Sequence, residues 1–243
     1  MSLRRLFLAF LLWPASLCMA GIIRLTLGFE SDPVGAPPLG ASLNVKGCAW
    51  ITNGPVFSGQ QSLAMVSTGQ LALVDWGTYF PDLFGGWYRQ AGNVPVNVRV
   101  AACAAQTNAT LDLWLAKDAQ QTAVRIQFAP GGALLAVTAK GSKSLGRYAA
   151  NTWYVFDATF RTEVPHYDLT VSDRNGTPLA TATNLVWFQP ALTNSVLFGV
   201  AFSAQDHGTL FVDDLMVRDV EPTGKLPWPR PLVVYPSAGD KAR

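Results

Sequence analysis

The sequence predicts an all-β fold, a two-sheet antiparallel β-sandwich, and three observations support this. Apolar and polar residues alternate with a period of two in run after run, which is typical of strands with one buried face. Turn-forming sequences separate the runs. Almost no segment carries an apolar stripe at 3.6-residue spacing over ten residues, so long amphipathic helices are not expected.

The alternating runs follow one another along most of the chain, and β-branched and aromatic residues fill them, as strands prefer. In order, they cover residues 24–29, 94–101, 111–115, 124–128, 154–160, 167–171 and 196–202. Asn53-Gly54-Pro55, Pro130-Gly131-Gly132 and Asp206-His207-Gly208 lie between runs. Residues 173–177 join two strand-like runs and predict a hairpin. About a dozen short strands at this spacing indicate a sandwich or a barrel.

The composition excludes several classes of protein. Of 243 residues, 14% are charged and 49% are hydrophobic, which is the opposite of the pattern that keeps a chain disordered. The formal net charge of +2 cannot supply a basic stripe facing phosphates, so no nucleic-acid partner is expected. The length is sufficient for one domain with a substantial core.

The N-terminus carries the features of a secretory signal peptide. Arg4 and Arg5 are the only charges in the first 23 residues, and an apolar run and small residues follow them. We expect cleavage after Ala20, and therefore a secreted, periplasmic or cell-envelope protein with no stable membrane span. Two alternatives are a membrane anchor over residues 6–23, which Pro14 interrupts, and lipid attachment at Cys18.

Cleavage would leave one domain over residues 21–221 and a Pro-rich extended tail over residues 222–243. It would also remove the excess charge, because 18 − 2 = 16 basic residues then face 16 acidic ones. Cys48 and Cys103 remain and are a candidate disulfide in an exported chain. The alternative is two buried free thiols.

Five motifs in order resemble the concanavalin A-like (laminin G-like) jelly-roll superfamily, which includes lectins and glucanases. They are Gly28-Phe29-Glu30-Ser31 near the first strand, the "Ser-Leu" segment 56–65, the Trp-led strand 151–155, the strand 167–171, and the closing strand 208–217. The match covers residues 24–221. It implies a jelly roll of two packed antiparallel sheets, one concave and one convex.

The resemblance also implies a structural calcium ion that links the first strand to the last. Glu30 and Asp213 match the ligand positions by motif, and Asp214 is the alternate. Carboxylate oxygens suit that ion. Neighbouring strand residues point to opposite faces, so Asp213 and Asp214 are not expected to face the same way. The alternative is that these residues cap a turn or face solvent.

No catalytic residues are predicted. The chain has three Glu, and the paired-carboxylate pattern of the fold's glucanases is absent. A lyase-like pattern is matched only in part by residues 161–165, where Pro165 replaces the final Arg. His166 and His207 both lie beside turn residues. Members of this superfamily include hydrolases, lyases, lectins and binding modules, so the fold alone does not decide the function.

Residues 75–89 form an aromatic cluster interrupted by Gly and Pro, which is typical of a loop. Rings can stack on sugar faces while Asp and Arg bind hydroxyls. The predicted ligand-binding residues are Asp75, Trp76, Tyr79, Trp87, Tyr88 and Arg89, with Trp187 and Phe188 as a second candidate. The alternative is that these rings plug the end of the core.

These features favour an exported, non-catalytic carbohydrate-binding or adhesion module with a glycan or polysaccharide as partner. A secreted polysaccharide hydrolase or lyase, and a structural extracellular interaction protein, are the alternatives. The sequence does not indicate an oligomeric state.

Overall fold

The structure is a computed structural model that describes residues 23–76, 95–116, 121–160, 164–192 and 199–219. The predicted signal peptide and the Pro-rich tail lie outside these residues. In the described part, no helix is long and apolar enough to cross a membrane.

Fifteen strands and one short 3-10 helix make up the regular structure of the described residues. The strands are β1 (Ile23–Leu27), β2 (Ser42–Leu43), β3 (Ala49–Thr52), β4 (Ser62–Val66), β5 (Ala72–Asp75), β6 (Val96–Ala104), β7 (Leu111–Ala116), β8 (Thr122–Ala129), β9 (Ala133–Thr138), β10 (Gly141–Arg147), β11 (Thr152–Phe160), β12 (His166–Asp173), β13 (Pro178–Val186), β14 (Gly199–Ala204) and β15 (Thr209–Asp219). The 3-10 helix is Pro190–Leu192.

The strands form two antiparallel sheets, as the alternation predicts. Sheet A has the order β13-β12-β11-β6-β15-β4-β3, and β1 pairs with the second half of β15. Sheet B has the order β10-β9-β8-β7-β14-β5-β2. Strands that are distant in sequence are therefore neighbours, so each sheet depends on long-range pairing.

The inner faces of the two sheets form one apolar core. Phe128 is fully buried and makes edge-to-face contacts with Tyr148 and Phe156, at centroid distances of 4.9 and 5.5 Å. Phe202 and Val212 belong to the same core. Because side chains alternate along a strand, burial of these residues sends their polar neighbours to the outer faces.

The predicted turns are confirmed at the β12–β13 hairpin and at the turn that connects sheet B to sheet A. At the first, Asp173 accepts backbone hydrogen bonds from Asn175 and Thr177 through Oδ1, at 2.9 and 2.8 Å. At the second, which joins β14 to β15, Asp206 and His207 adopt left-handed backbone angles. Gly208 follows there because an added Cβ would lie 2.7 Å from Leu111 Cδ2.

The predicted Cys48–Cys103 disulfide is wrong, and the alternative of two buried free thiols is confirmed. Cys48 lies in the core between the sheets, whereas Cys103 lies on the outer face of sheet A with Trp153. Two strands separate β3 from β6, a distance of roughly 14 Å at usual strand spacing. A disulfide requires Cα atoms within about 7 Å. Burial raises the pKa of the Cys103 thiol to about 11.

We expect both thiols to remain reduced and unreactive in the folded protein, because both side chains are buried away from reagents. Unreduced protein that has lost residues 1–20 should react with a thiol reagent only after denaturation, and then at two thiols per chain. A count near zero in denatured, unreduced protein would contradict the structure.

Candidate functional site

A polar row crosses the outer face of sheet B. Strand register places Ser203 of β14 opposite Asp112 of β7, and Asp112 opposite Gln127 of β8. Their sequence neighbours, including Phe202 and Leu111, point into the core. The three polar side chains therefore lie side by side on the face that points away from sheet A.

Asp112 is the centre of this row. Its carboxylate accepts hydrogen bonds from Arg125 Nη2 at 2.8 Å and Arg125 Nε at 3.1 Å. It also accepts one from Gln127 Nε2 at 3.0 Å, with Ser203 Oγ at 3.4 Å. The Asp112 side chain has no exposed surface, whereas the Arg125 side chain is 23% exposed. Asp112 thus holds Arg125 and Gln127 in fixed orientations through a two-point ion pair.

An aromatic ring completes the arrangement. The guanidinium carbon of Arg125 lies 5.7 Å from the centroid of the Phe188 ring, within range of a cation–π interaction. The Phe188 amide donates to the carbonyl of Ala123 on β8, which holds the backbone of Phe188 next to the strand that carries Arg125. We call Asp112, Arg125, Gln127, Phe188 and Ser203 the outer-face site.

The accessible part of this site combines a flat ring, a guanidinium and a carboxamide. Arg125, Gln127 and Phe188 are all half-buried, while Asp112 and Ser203 lie beneath them. Sequence reasoning identified Phe188 as a secondary candidate and missed the other four residues. The sequence could have indicated three of them, because Asp112, Arg125 and Gln127 occupy polar positions of the alternating runs 111–115 and 124–128.

The predicted aromatic site is only partly on this face. Asp75 ends β5, and the register continues from Asp75 through Ala201 and Trp114 to Arg125. Asp75 therefore belongs to the same row of sheet B as Arg125. Tyr79, Trp87, Tyr88 and Arg89 lie outside the described residues.

The prediction that Trp76 contacts a ligand is wrong, because Trp76 is 1% exposed. Its ring packs against Phe29 and Phe202, at centroid distances of 6.3 and 5.8 Å. Its indole Nε1 donates to the carbonyl of Leu39 at 3.2 Å. For this residue, the alternative of a ring that plugs the core is confirmed.

The described strands of sheet B contain two acidic residues, Asp75 and Asp112. They are two strands apart, which places their backbones at least roughly 10 Å from each other. Retaining glycosidases need carboxyl groups about 5–5.5 Å apart. Asp112 is also paired with Arg125. The arrangement therefore suits binding through hydrogen bonds better than hydrolysis by these two carboxyl groups.

A second polar feature lies where β1 ends and the loop of residues 53–61 meets β15. Glu30 Oε1 accepts backbone hydrogen bonds from Gln60 and Gln61, at 3.0 and 3.1 Å. Asp213 Oδ2 accepts them from Phe57 and Ser58, also at 3.0 and 3.1 Å. We call Glu30, Asp213 and Asp214 the acidic corner.

A bulge in β15 brings Asp213 and Asp214 to the same loop. The pairing of β15 with β6 shifts between Asp213 and Met216, and Asp214 has a φ of 47°. Asp214 Oδ1 accepts from Ser58 Oγ at 2.8 Å, so both carboxylates contact Ser58. As expected, the two side chains are not both buried, since Asp213 is fully buried and Asp214 is partly exposed, but the bulge breaks the alternation and lets both reach Ser58. Burial raises the pKa of Asp213 to about 6, although three backbone amides oppose this.

The oxygens near this corner are of the type that calcium prefers. The carbonyl oxygens of Phe29 and Asp32 both point at the side-chain amide of Gln61, whose nitrogen can donate to them at 2.8 and 2.9 Å. The Glu30 carboxylate binds the backbone of the same Gln61. Among the described residues, no group of three or more His, Cys, Asp or Glu is arranged to hold a metal. A calcium ion here would therefore need carbonyl and amide oxygens besides Glu30.

No protein-family model matches this sequence, and no curated protein sequence does either. Solved structures do. A structure of botulinum neurotoxin type C, whose cell entry is dependent upon interaction with two ganglioside molecules, matches with a TM-score of 0.50 and 10% identity. That match covers 82% of this chain and 49% of the toxin chain.

Peanut lectin matches with a TM-score of 0.49 and 10% identity, over 82% of this chain and 99% of the lectin. A sialidase matches at 0.48 and 11%, over 70% of this chain. This chain spans 17% of the sialidase and about half of the toxin chain. The strand order of the two sheets and the match to the neurotoxin structure show the jelly-roll fold that the five motifs predicted.

We expect Asp112→Asn to lower the free energy of unfolding by about 2–3 kcal/mol, because Arg125 would lose its charged partner on a largely buried face. Urea denaturation followed by fluorescence measures this. Lys143→Ala, on exposed β10, is the matched control and should change stability by less than about 0.5 kcal/mol. Equal stabilities for Asp112→Asn and the unmodified protein would contradict the network.

Proposed function

We propose that this protein is a lectin-like, carbohydrate-binding module and that its ligand binds at the outer-face site. The observation that carries this proposal is the Asp112–Arg125 ion pair next to Gln127 and the Phe188 ring. Sugars present an apolar ring face beside hydroxyl groups that both donate and accept hydrogen bonds. A ring, a guanidinium and a carboxamide on one surface match those two features.

The charges support an uncharged ligand. The positive charge of Arg125 is already neutralised by Asp112, so the site has little net charge to attract an anion. The chain without residues 1–20 balances 16 basic against 16 acidic residues, which removes long-range attraction to polyanions. A neutral glycan therefore fits better than an acidic polysaccharide.

The predicted aromatic segment would extend the same site. Asp75 lies in the row of Arg125 at the end of β5, so the aromatic segment is connected in sequence to an edge of this face. In this proposal the ligand is also contacted by Asp75, Tyr79, Trp87, Tyr88 and Arg89. Trp76 does not contact it, because it packs in the core. The match to the neurotoxin structure supports this proposal, because the toxin's cell entry is dependent upon interaction with two ganglioside molecules.

We also propose that the protein is exported through residues 1–20 and that the acidic corner binds a structural calcium ion. Glu30 and the carbonyls of Phe29 and Asp32 would hold the ion, and the Gln61 amide would turn so that its oxygen, and not its nitrogen, faces it. The ion would supply positive charge next to the buried Asp213 and tie the first strand to the loop of residues 53–61.

The purified protein should bind neutral glycans on a glycan array, and calorimetry on the hits should localise the binding. Gln127→Leu should weaken binding roughly tenfold, since one or two hydrogen bonds would be lost. Phe188→Ala should weaken it similarly through lost stacking. Lys143→Ala should leave it unchanged. The proposal fails if no glycan binds, or if both site variants bind as tightly as the unmodified protein.

Calcium should stabilise chelator-treated protein. At a concentration about 100 times the dissociation constant, the gain is about 2.7 kcal/mol, or roughly 5–10 °C in the melting temperature. Scanning calorimetry with calcium, with magnesium as the control ion, measures it. Gln61→Leu should reduce the shift, whereas Asp206→Asn, in an exposed turn, should not. Absence of a calcium-dependent shift and of titration heat would exclude the ion.

A further inference from the structure

Two polar atoms are buried in the core without a hydrogen-bond partner among the described residues. They are the hydroxyl oxygen of Tyr167 and the indole nitrogen Nε1 of Trp187. Tyr167 is 2% exposed and Trp187 is fully buried. A buried polar group without a hydrogen-bond partner destabilises a folded protein, so its persistence in a packed core needs an explanation.

The two side chains lie on the same inner face of sheet A. Tyr167 of β12 is opposite Leu185 of β13, and the Trp187 amide extends this ladder by donating to the carbonyl of Pro165 at 2.8 Å. Trp187 is therefore the diagonal neighbour of Tyr167. Such pairs have Cα atoms roughly 7–8 Å apart, within reach of aromatic side chains.

The segment of Trp187 and Phe188 crosses from one sheet to the other at this place. The Trp187 amide donates to the carbonyl of Pro165, which directly precedes β12 in the sequence. The Trp187 carbonyl accepts from the amide of Ala139, which directly follows β9. The Phe188 amide bonds to Ala123 of β8. The backbone around Trp187 is thus satisfied by three protein partners, and only its indole N–H is left without one.

We propose that Tyr167 and Trp187 share one internal water molecule. The indole N–H can only donate, so its partner must accept, while the phenol can donate or accept. A water molecule meets both needs, and internal waters usually bridge polar groups of this kind. The site is independent of the glycan and calcium sites, since neither of its atoms belongs to them.

The chain contains matched controls for each half of the pair. Tyr148 is also buried, but its hydroxyl donates to the carbonyl of Ala129 at 3.1 Å. Trp76 is equally buried, but its Nε1 donates to Leu39. These residues show how a phenol and an indole behave in this core when the protein itself supplies the partner.

The test is NMR detection of magnetisation transfer from water to the indole protons of ¹⁵N-labelled protein, with Trp187→Phe and Trp76→Phe used to assign the signals. The Trp187 indole should show a cross-peak to a long-lived water, and the Trp76 indole should not. Tyr167→Phe should abolish or shift that cross-peak, whereas Tyr148→Phe should leave it unchanged. No cross-peak, or one unaffected by Tyr167→Phe, overturns the shared water.

Unfolding midpoints in urea give an independent readout. If the water is shared, Tyr167→Phe and Trp187→Phe each lower the midpoint, and the double variant lowers it by less than their sum. If the hydroxyl has no partner, Tyr167→Phe leaves the midpoint unchanged or raises it, because a desolvated polar group is removed. That result overturns the proposal, as does a crystal structure with a protein group hydrogen-bonded to either atom.

Discussion

The face-to-face packing of two apolar sheet surfaces is the constraint on which the rest of this structure depends. Phe128 and Phe202 from sheet B meet the inner residues of sheet A, and alternation then fixes which side chains face outward. Asp112, Arg125 and Gln127 lie together on the outer face because Leu111, Ile126 and Phe128 are needed inside. The proposed binding surface is thus a consequence of core packing.

Irregular backbone provides the second functional feature. The bulge at Asp213 and Asp214 lets two adjacent carboxylates reach one loop, which a regular strand forbids. Gly59 adopts a φ of 61° in that loop, and a Cβ there would collide with the Glu30 carboxylate. The acidic corner therefore depends on one bulge and one glycine as much as on its acidic residues.

Strand alternation predicted the sandwich correctly because the period of two is a local property that core burial requires. The cysteine count in an exported chain predicted a disulfide, and the aromatic cluster predicted a ligand-contacting Trp76, and both were wrong. Whether two Cys side chains meet depends on the strand order and on the face of each residue, and Cys48 and Cys103 are on opposite faces of sheet A. Whether a Trp is exposed depends on what packs against it, here Phe29 and Phe202.

By itself, the sequence determined the all-β class, the turns, and the separation of inner from outer positions, since these follow from alternation and from turn chemistry within a few residues. The tertiary structure decided the partners. Asp112 meets Ser203 across 91 positions, and Asp213 meets Phe57 across 156. Such pairs are set by strand order, which arises from the burial of all the strands together. The outer-face site could therefore be recognised only in the folded chain, whereas the three residues of the acidic corner were grouped by motif and the structure decided their contacts.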